Sequence, residues 1–404
     1  MQHSLKSKVW LSSPHMSGNE LSYIEEAFRC NWIAPLGPHI DVFENDLCRY
    51  NGVKHAAALS SGTAAIHLGL RMLDVQPDDY VLTQSLTFVA SANPIKYLGG
   101  MPVFIDSEKE TWNMCPQQLE KAIIACMRGE IRTPMGRGEA RLPKAIIPVH
   151  LYGMPANMQE IMRIANEYGI PVLEDAAEAL GSTFDKRACG GIGKLGVLSF
   201  NGNKIITASA GGALLSNDDE MITRAKFLAT QAKDVAKHYE HTQMGYNYRM
   251  SNILAGIGIA QLELIDDRVA ARRANFNFYN NYFSNIEGVE LLQEPNEKYF
   301  SNRWLTTISV NPKLTMGITR DDVMDALAAE NIESRPIWKP MHLQPLYTAY
   351  PYFGTGVSDE IFNNGLCLPS GSNLTKDDLA RITEVFDALF HKCKQTQRKV
   401  AVNF

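Results

Sequence analysis

Over its first two thirds the chain alternates short apolar runs with stretches of helical period, and few folds accommodate that alternation. Ala56 to Ser60 precedes Ala64 to Leu73, Tyr80 to Thr83 precedes Phe88 to Tyr97, Pro102 to Ile105 precedes Pro116 to Cys126, and Ala145 to His150 precedes Met158 to Tyr168. Apolar runs too short for helices, each followed by a helix, suit parallel strands covered on both faces. Val172 to Glu174, Val197 to Phe200 and Ala213 to Ser216 follow at shorter spacing, so the sheet is expected to gain a hairpin-like portion and become mixed. A polar helix from about Glu263 to Phe283 then carries the chain away. Beyond it, Trp304 to Val310, Arg320 to Glu330, Ile332 to Arg335 and Lys376 to Phe390 read as a second α/β set. The expected division is a large domain over 1–265, including an N-terminal arm, and a smaller one over 266–404. The 127–143 stretch, with Arg128, Arg132, Arg137 and Arg141, reads as an exposed insertion.

Composition narrows the partners. With 404 residues, 45% of them hydrophobic, the chain can bury a sizeable core. A formal charge of -5 gives no basic field for nucleic acid or an anionic membrane, and neither is expected as a partner. The seven cysteines are scattered, with no close pairs to suggest zinc or a disulfide framework, so they are read as reduced thiols of a cytoplasmic protein. The first residues lack the apolar core of a signal peptide, and no run approaches the roughly 18 apolar residues of a membrane span.

Chemistry concentrates at three places. Ser60-Ser-Gly-Thr-Ala-Ala65 ends one apolar run and opens a helix, where free amides and the helix dipole attract a phosphate; a plain capped turn explains the same residues. Asp175 closes the run Ile170-Pro-Val-Leu-Glu-Asp175 at a strand's carboxyl end, where ligands of open α/β sheets bind, though helix capping would also use an aspartate there. Lys204 follows Leu198-Ser-Phe200, flanked by Asn203, Ile205 and Ile206. Apolar surroundings make an ammonium costly and favour the neutral amine that imine formation needs; a snorkelling lysine is the plainer explanation. Together an amine and a carboxylate meet the needs of pyridoxal phosphate, which forms a Schiff base with the first and sets its pyridine nitrogen against the second. Ser199 could donate to the phosphate, Phe88 could stack on the ring, and Glu178, one turn after Asp175, could reach the ring oxygen. Gly211-Gly212 reads as a flexible turn beside the lysine.

These residues resemble the DegT/DnrJ/EryC1/StrS group of sugar-nucleotide aminotransferases, within fold type I of the pyridoxal phosphate enzymes. The likeness runs through Asn31-Trp-Ile-Ala-Pro-Leu-Gly37, Ser61-Gly-Thr63, His150-Leu-Tyr-Gly153, Glu174-Asp-Ala-Ala177, Ser199 to Lys204 and Gly245-Tyr-Asn-Tyr-Arg-Met250. It implies an α/β fold with a mixed central sheet and a smaller C-terminal α/β domain. It also implies Lys204 as the Schiff-base lysine, Asp175 at the pyridine nitrogen, Phe88 as the stacking ring, and Gly62, Thr63 and Ser199 at the phosphate. Homodimers with shared active sites are implied, Asn247 reaching the phosphate across the interface and Arg249 lying nearby. Within the group, Tyr246-Asn-Tyr-Arg-Met-Ser-Asn252, Asn201-Gly-Asn-Lys-Ile-Ile-Thr207, Ser301-Asn-Arg-Trp-Leu305, Arg335-Pro-Ile-Trp-Lys-Pro-Met-His342 and Cys367-Leu-Pro-Ser-Gly371 look most like the bacillosamine-pathway enzymes. That likeness implies L-glutamate as donor and UDP-2-acetamido-2,6-dideoxy-4-keto-hexose as acceptor, with Arg335, Trp338 and His342 near the sugar nucleotide. Glu178 stands where glutamine is commonest in the group, and Ala208-Ser-Ala210 where many members have Gly-Glu. The alternatives are another nucleotide-linked keto sugar, such as GDP-4-keto-6-deoxymannose or a UDP-3-keto sugar, and a non-catalytic regulatory protein, which would predict loss of Lys204 or Asp175.

Overall fold

The chain was analysed as a computed structural model that describes residues 6–402, with side chains through residue 390. Residues 1–5, read above for a leader, and the Cys393 side chain lie outside that part. Among the described residues the central sheet has seven strands from the first part of the chain, β1 (His55–Leu59), β2 (Tyr80–Gln84), β3 (Met101–Ile105), β4 (Ala145–Ile147), β5 (Leu173–Asp175), β6 (Leu195–Ser199) and β7 (Gly212–Ser216), and an eighth, Tyr352–Phe353, at its edge. β1-β7-β6-β5 and β4-β2-β3 are joined by the parallel bridges Ile146–Val172 and Val149–Asp175, so the order is β1-β7-β6-β5-β4-β2-β3. All ladders are parallel except those of β7, which runs against both β1 and β6. That is the hairpin-like portion the shorter spacing implied.

Every residue of β2, β3 and β7 is buried, as strands covered on both faces require. The covering helices are amphipathic. In Met158–Tyr168 the buried residues Met158, Ile161, Ile164 and Ala165 fall on one stripe; Asn157 caps the start and left-handed Gly169 ends it. The Arg132–Thr133 and Gly136–Arg137 strands make the expected insertion a small exposed hairpin. Among the described residues no helix is long and apolar enough to cross a membrane.

A second, antiparallel sheet joins Val289–Leu291, Thr306–Val310, Gly365–Leu368 and Arg335–Pro336. The helices Arg320–Ala329 and Lys376–Val402 cover it, and its core includes Ile308, Leu327, Leu366 and Phe386. The helix Ile265–Phe283 spans both units: Ile265 and Val269 join the large core, Tyr279 and Phe283 the small one. Two segments cross the division expected at residue 265. Val9 bridges to Ile332 and packs in the small core, and Tyr352–Phe353 extends the large sheet beside β3. Apolar periodicity finds strands but does not reveal their neighbours.

Candidate active site

The carboxyl ends of β2, β5 and β6 and the start of the helix Gly62–Met72 surround a cavity of about 290 Å³. Ser61 is extended and its Oγ accepts the Ala64 N–H at 3.0 Å, which sets Gly62 and Thr63 in the first turn on the cavity wall. The positive end of the helix dipole therefore faces the cavity. A side chain at Gly62 would press on Ser199, Cβ to Cβ 3.1 Å. Gly212 is tighter still: a Cβ there would sit 2.6 Å from the Ser61 carbonyl oxygen and closer to the Gly62 nitrogen. Gly212 thus serves close approach of β7 to the helix start, while Gly211 before it, at φ 141°, makes the turn that was expected.

Asp175 is buried at the end of β5; its Oδ2 accepts from Ser91 Oγ at 2.6 Å and its Oδ1 from the Ala177 N–H at 3.1 Å. Glu178 accepts the Tyr152 N–H at 2.7 Å through Oε2, and its Oε1 lies 3.4 Å from Lys204 Nζ. Tyr152 makes that contact from the left-handed region, at φ 54°, uncommon for a bulky residue and typical of strained functional turns. Burial raises the Glu178 carboxyl above its ordinary range, while Lys204 and the Tyr152 N–H oppose the shift. Lys204 Nζ also sits 4.0 Å from the Trp304 ring centroid, and the Trp304 indole Nε1–H donates to the Asn203 carbonyl at 2.8 Å. The sequence suggested an apolar enclosure for this amine. Ile205 and Ile206 instead enter the core, and the amine lies between a carboxylate and an indole face, both of which attract an ammonium.

Phe88, half-exposed, and Trp338 flank the cavity with ring centroids 5.2 Å apart. Tyr152 stacks between Trp304 and Trp338, at 6.2 and 6.1 Å. Of the residues singled out from sequence, Gly62, Thr63, Phe88, Asp175, Glu178, Ser199, Lys204 and Trp338 line this one cavity. Four do not. Arg249 binds Glu44 and the Ala58 carbonyl, so within this chain it braces the structure beneath the site. Asn247 is exposed on the segment bridged to Thr230. Arg335 points outward and pairs with Glu333 at 2.8 Å. His342 stacks on Tyr352 between Ser85 and Asp359, which makes it a packing residue behind the wall.

An amine, a carboxylate and a helix start at the ends of parallel strands form the site. The profile of the DegT/DnrJ/EryC1/StrS aminotransferase family matches residues 14–387. The chain belongs to that family. EpsN of Bacillus subtilis (strain 168), assigned as a pyridoxal phosphate-dependent aminotransferase, is 52% identical over 95% of this chain and 96% of its own. A GDP-perosamine synthase of Caulobacter vibrioides is 35% identical over 94% of this chain and 98% of its own. The crystal structure of a DegT/DnrJ/EryC1/StrS aminotransferase from Brucella abortus superposes with a TM-score of 0.83 at 30% identity, covering 92% of this chain and 95% of that one. The chain is a pyridoxal phosphate-dependent aminotransferase of the α/β fold seen in these family members.

The residues present fit that cofactor. Gly62 and Gly212 leave room for backbone, and only backbone, at the helix start, and an acid and an amine face the same space. Sequence reasoning missed Thr87, Ser91 and Trp304. The two hydroxyls flank Phe88 at a spacing of four, a faint signal; Trp304, a hundred residues from Lys204, stands in the Ser301-Asn-Arg-Trp-Leu305 motif, which by itself gave it no role.

Proposed function

We propose that this aminotransferase moves the amino group of L-glutamate to C4 of UDP-2-acetamido-2,6-dideoxy-4-keto-hexose, giving the 4-amino sugar nucleotide, and that it works as a cytoplasmic homodimer. The observation that carries the reading is the single cavity shared by Lys204, Asp175 and the Gly62–Met72 helix start, with Phe88 and Trp338 at its side. Pyridoxal phosphate, when bound, supplies the electron sink that lets an amino group leave one carbon and join another. Lys204 Nζ would hold the cofactor and, as a free amine, would carry a proton to and from the substrate carbon, with Trp304 and Glu178 beside it to hold it in place. Asp175 would face the pyridine nitrogen and Glu178 the ring oxygen. Phe88 would cover the ring, and Gly62, Thr63 and Ser199 would take the phosphate. Trp338 Nε1, buried and without an acceptor among the described residues, is suited to a sugar or phosphate oxygen of the acceptor.

A run of exposed apolar side chains, Leu21, Phe28, Trp32, Ile33 and Leu36, supports burial against a second copy. Exposed Asn247 is then free to reach the partner's phosphate site. The GDP-perosamine synthase relatives support a second acceptor, a GDP-linked 4-keto-6-deoxy sugar. The test is to load the enzyme with pyridoxal phosphate, convert it with glutamate, remove free amino acid and offer each keto sugar separately. Amino-sugar product from the UDP substrate alone supports the first acceptor. Product from the GDP substrate alone replaces it, and product from neither overturns both.

A further inference from the structure

We infer that Ser91, backed by Thr87, is a positioning residue that fixes the Asp175 carboxylate against the pyridine nitrogen of pyridoxal phosphate. The inference rests on the reading of Asp175 above. Ser91 Oγ is the donor across the 2.6 Å contact with Asp175 Oδ2. With its proton committed, Ser91 Oγ accepts from Thr87 Oγ1 at 2.8 Å, and the relay has one direction: Thr87 to Ser91 to Asp175. All three side chains are buried, which limits competition from water, and successive donors polarise one another.

The second carboxylate oxygen takes the Ala177 N–H. Two donors from different parts of the chain therefore hold the two oxygens and set the plane of the group, while each oxygen keeps a lone pair for the cofactor. Ser91 also ends the short turn Val89–Ser91, whose preceding residue is Phe88, and its own N–H closes on the Phe88 carbonyl at 3.2 Å. One turn thus presents the stacking ring and steers the nitrogen's partner. A hydroxyl serving only to satisfy a buried carboxylate would not need that shared placement.

The experiment compares wild type, Ser91→Ala and Thr87→Val, each stripped and titrated with pyridoxal phosphate, with the cofactor's visible band followed over pH and the melting temperature taken without cofactor. The expected result for Ser91→Ala is about tenfold weaker binding and a displaced pH profile of the band, because the carboxylate no longer holds the nitrogen's proton in one place. Thr87→Val should move both readouts the same way by less, with unloaded melting close to wild type. Wild-type affinity and pH profile in both variants would overturn the inference. So would a loss confined to Ser91→Ala that tracks a fall in unloaded melting while Thr87→Val stays normal. If wild type itself fails to bind the cofactor, the reading beneath the inference fails instead.

Discussion

Substituting Gly212 with alanine tests whether the phosphate cradle depends on the close approach of β7 to the Gly62–Met72 helix. The added Cβ would lie 2.6 Å from the Ser61 carbonyl oxygen, against 3.4 Å for ordinary contact, and nearer still to the Gly62 nitrogen. Both neighbours are backbone, so no flexible side chain can yield; the strand and the helix start must part by about 1 Å, a misplacement that costs up to about 100-fold at a preorganised site. Overpacking of this kind also destabilises by about 1–3 kcal/mol. Gly202 is the matched control, two residues before Lys204 and with nothing within 4 Å of its virtual Cβ. Equilibrium titration with pyridoxal phosphate should show Gly212→Ala weakened by one to two orders of magnitude on that same scale, and Gly202→Ala close to wild type. Equal affinities for Gly212→Ala and wild type would refute the argument that these glycines shape the cradle.

Glu178→Gln keeps an acceptor for the Tyr152 N–H and removes the charge facing Lys204, so kcat should fall roughly tenfold and the acid limb of its pH profile should flatten; an unchanged limb assigns that titration to another group. For Glu20, burial alone would raise the carboxyl, but the Ser17 N–H, Gln261 and the Gly18 N–H outweigh it and hold it at about 2, below the ordinary 4.5. A depressed carboxyl stabilises above the unfolded value, so the gap in stability between wild type and Glu20→Gln, up to about 3 kcal/mol, should close as pH falls from 4.5 toward 2; a constant gap in melting experiments would contradict this. Arg249→Met strands the buried Glu44 with Lys226 alone among its cations and should cost about 3 kcal/mol with little direct loss of cofactor affinity. Lost affinity with unchanged melting would return Arg249 to the cofactor site.

The local parts of the site were legible because strand ends and helix starts leave local signatures. Ser61-Gly-Thr63, Asp175 and Lys204 each stand beside an apolar run, and the fold carries all three to the carboxyl ends of the strands. Contacts made only by tertiary packing left no such trace. Trp304 reaches Lys204 from a hundred residues along the chain, and Ser91 reaches Asp175 from the loop after β2. Arg249 and His342 show the converse: polar residues in suggestive motifs are taken up by Glu44 and by Ser85, partners far away in sequence, with Asp359 also holding His342. The division at residue 265 met the same limit, since pairing of Val9 with Ile332 and of Tyr352 with Phe104 is a matter of neighbours, not of pattern.

The central claim is that Lys204 holds the cofactor. The direct measurement is borohydride reduction of the protein mixed with pyridoxal phosphate, followed by peptide mapping by mass spectrometry, with Lys204→Arg treated in parallel. The account predicts a single reduced adduct on the peptide containing Lys204, absent from the variant. An adduct on a different lysine, or one that persists in Lys204→Arg, would contradict it.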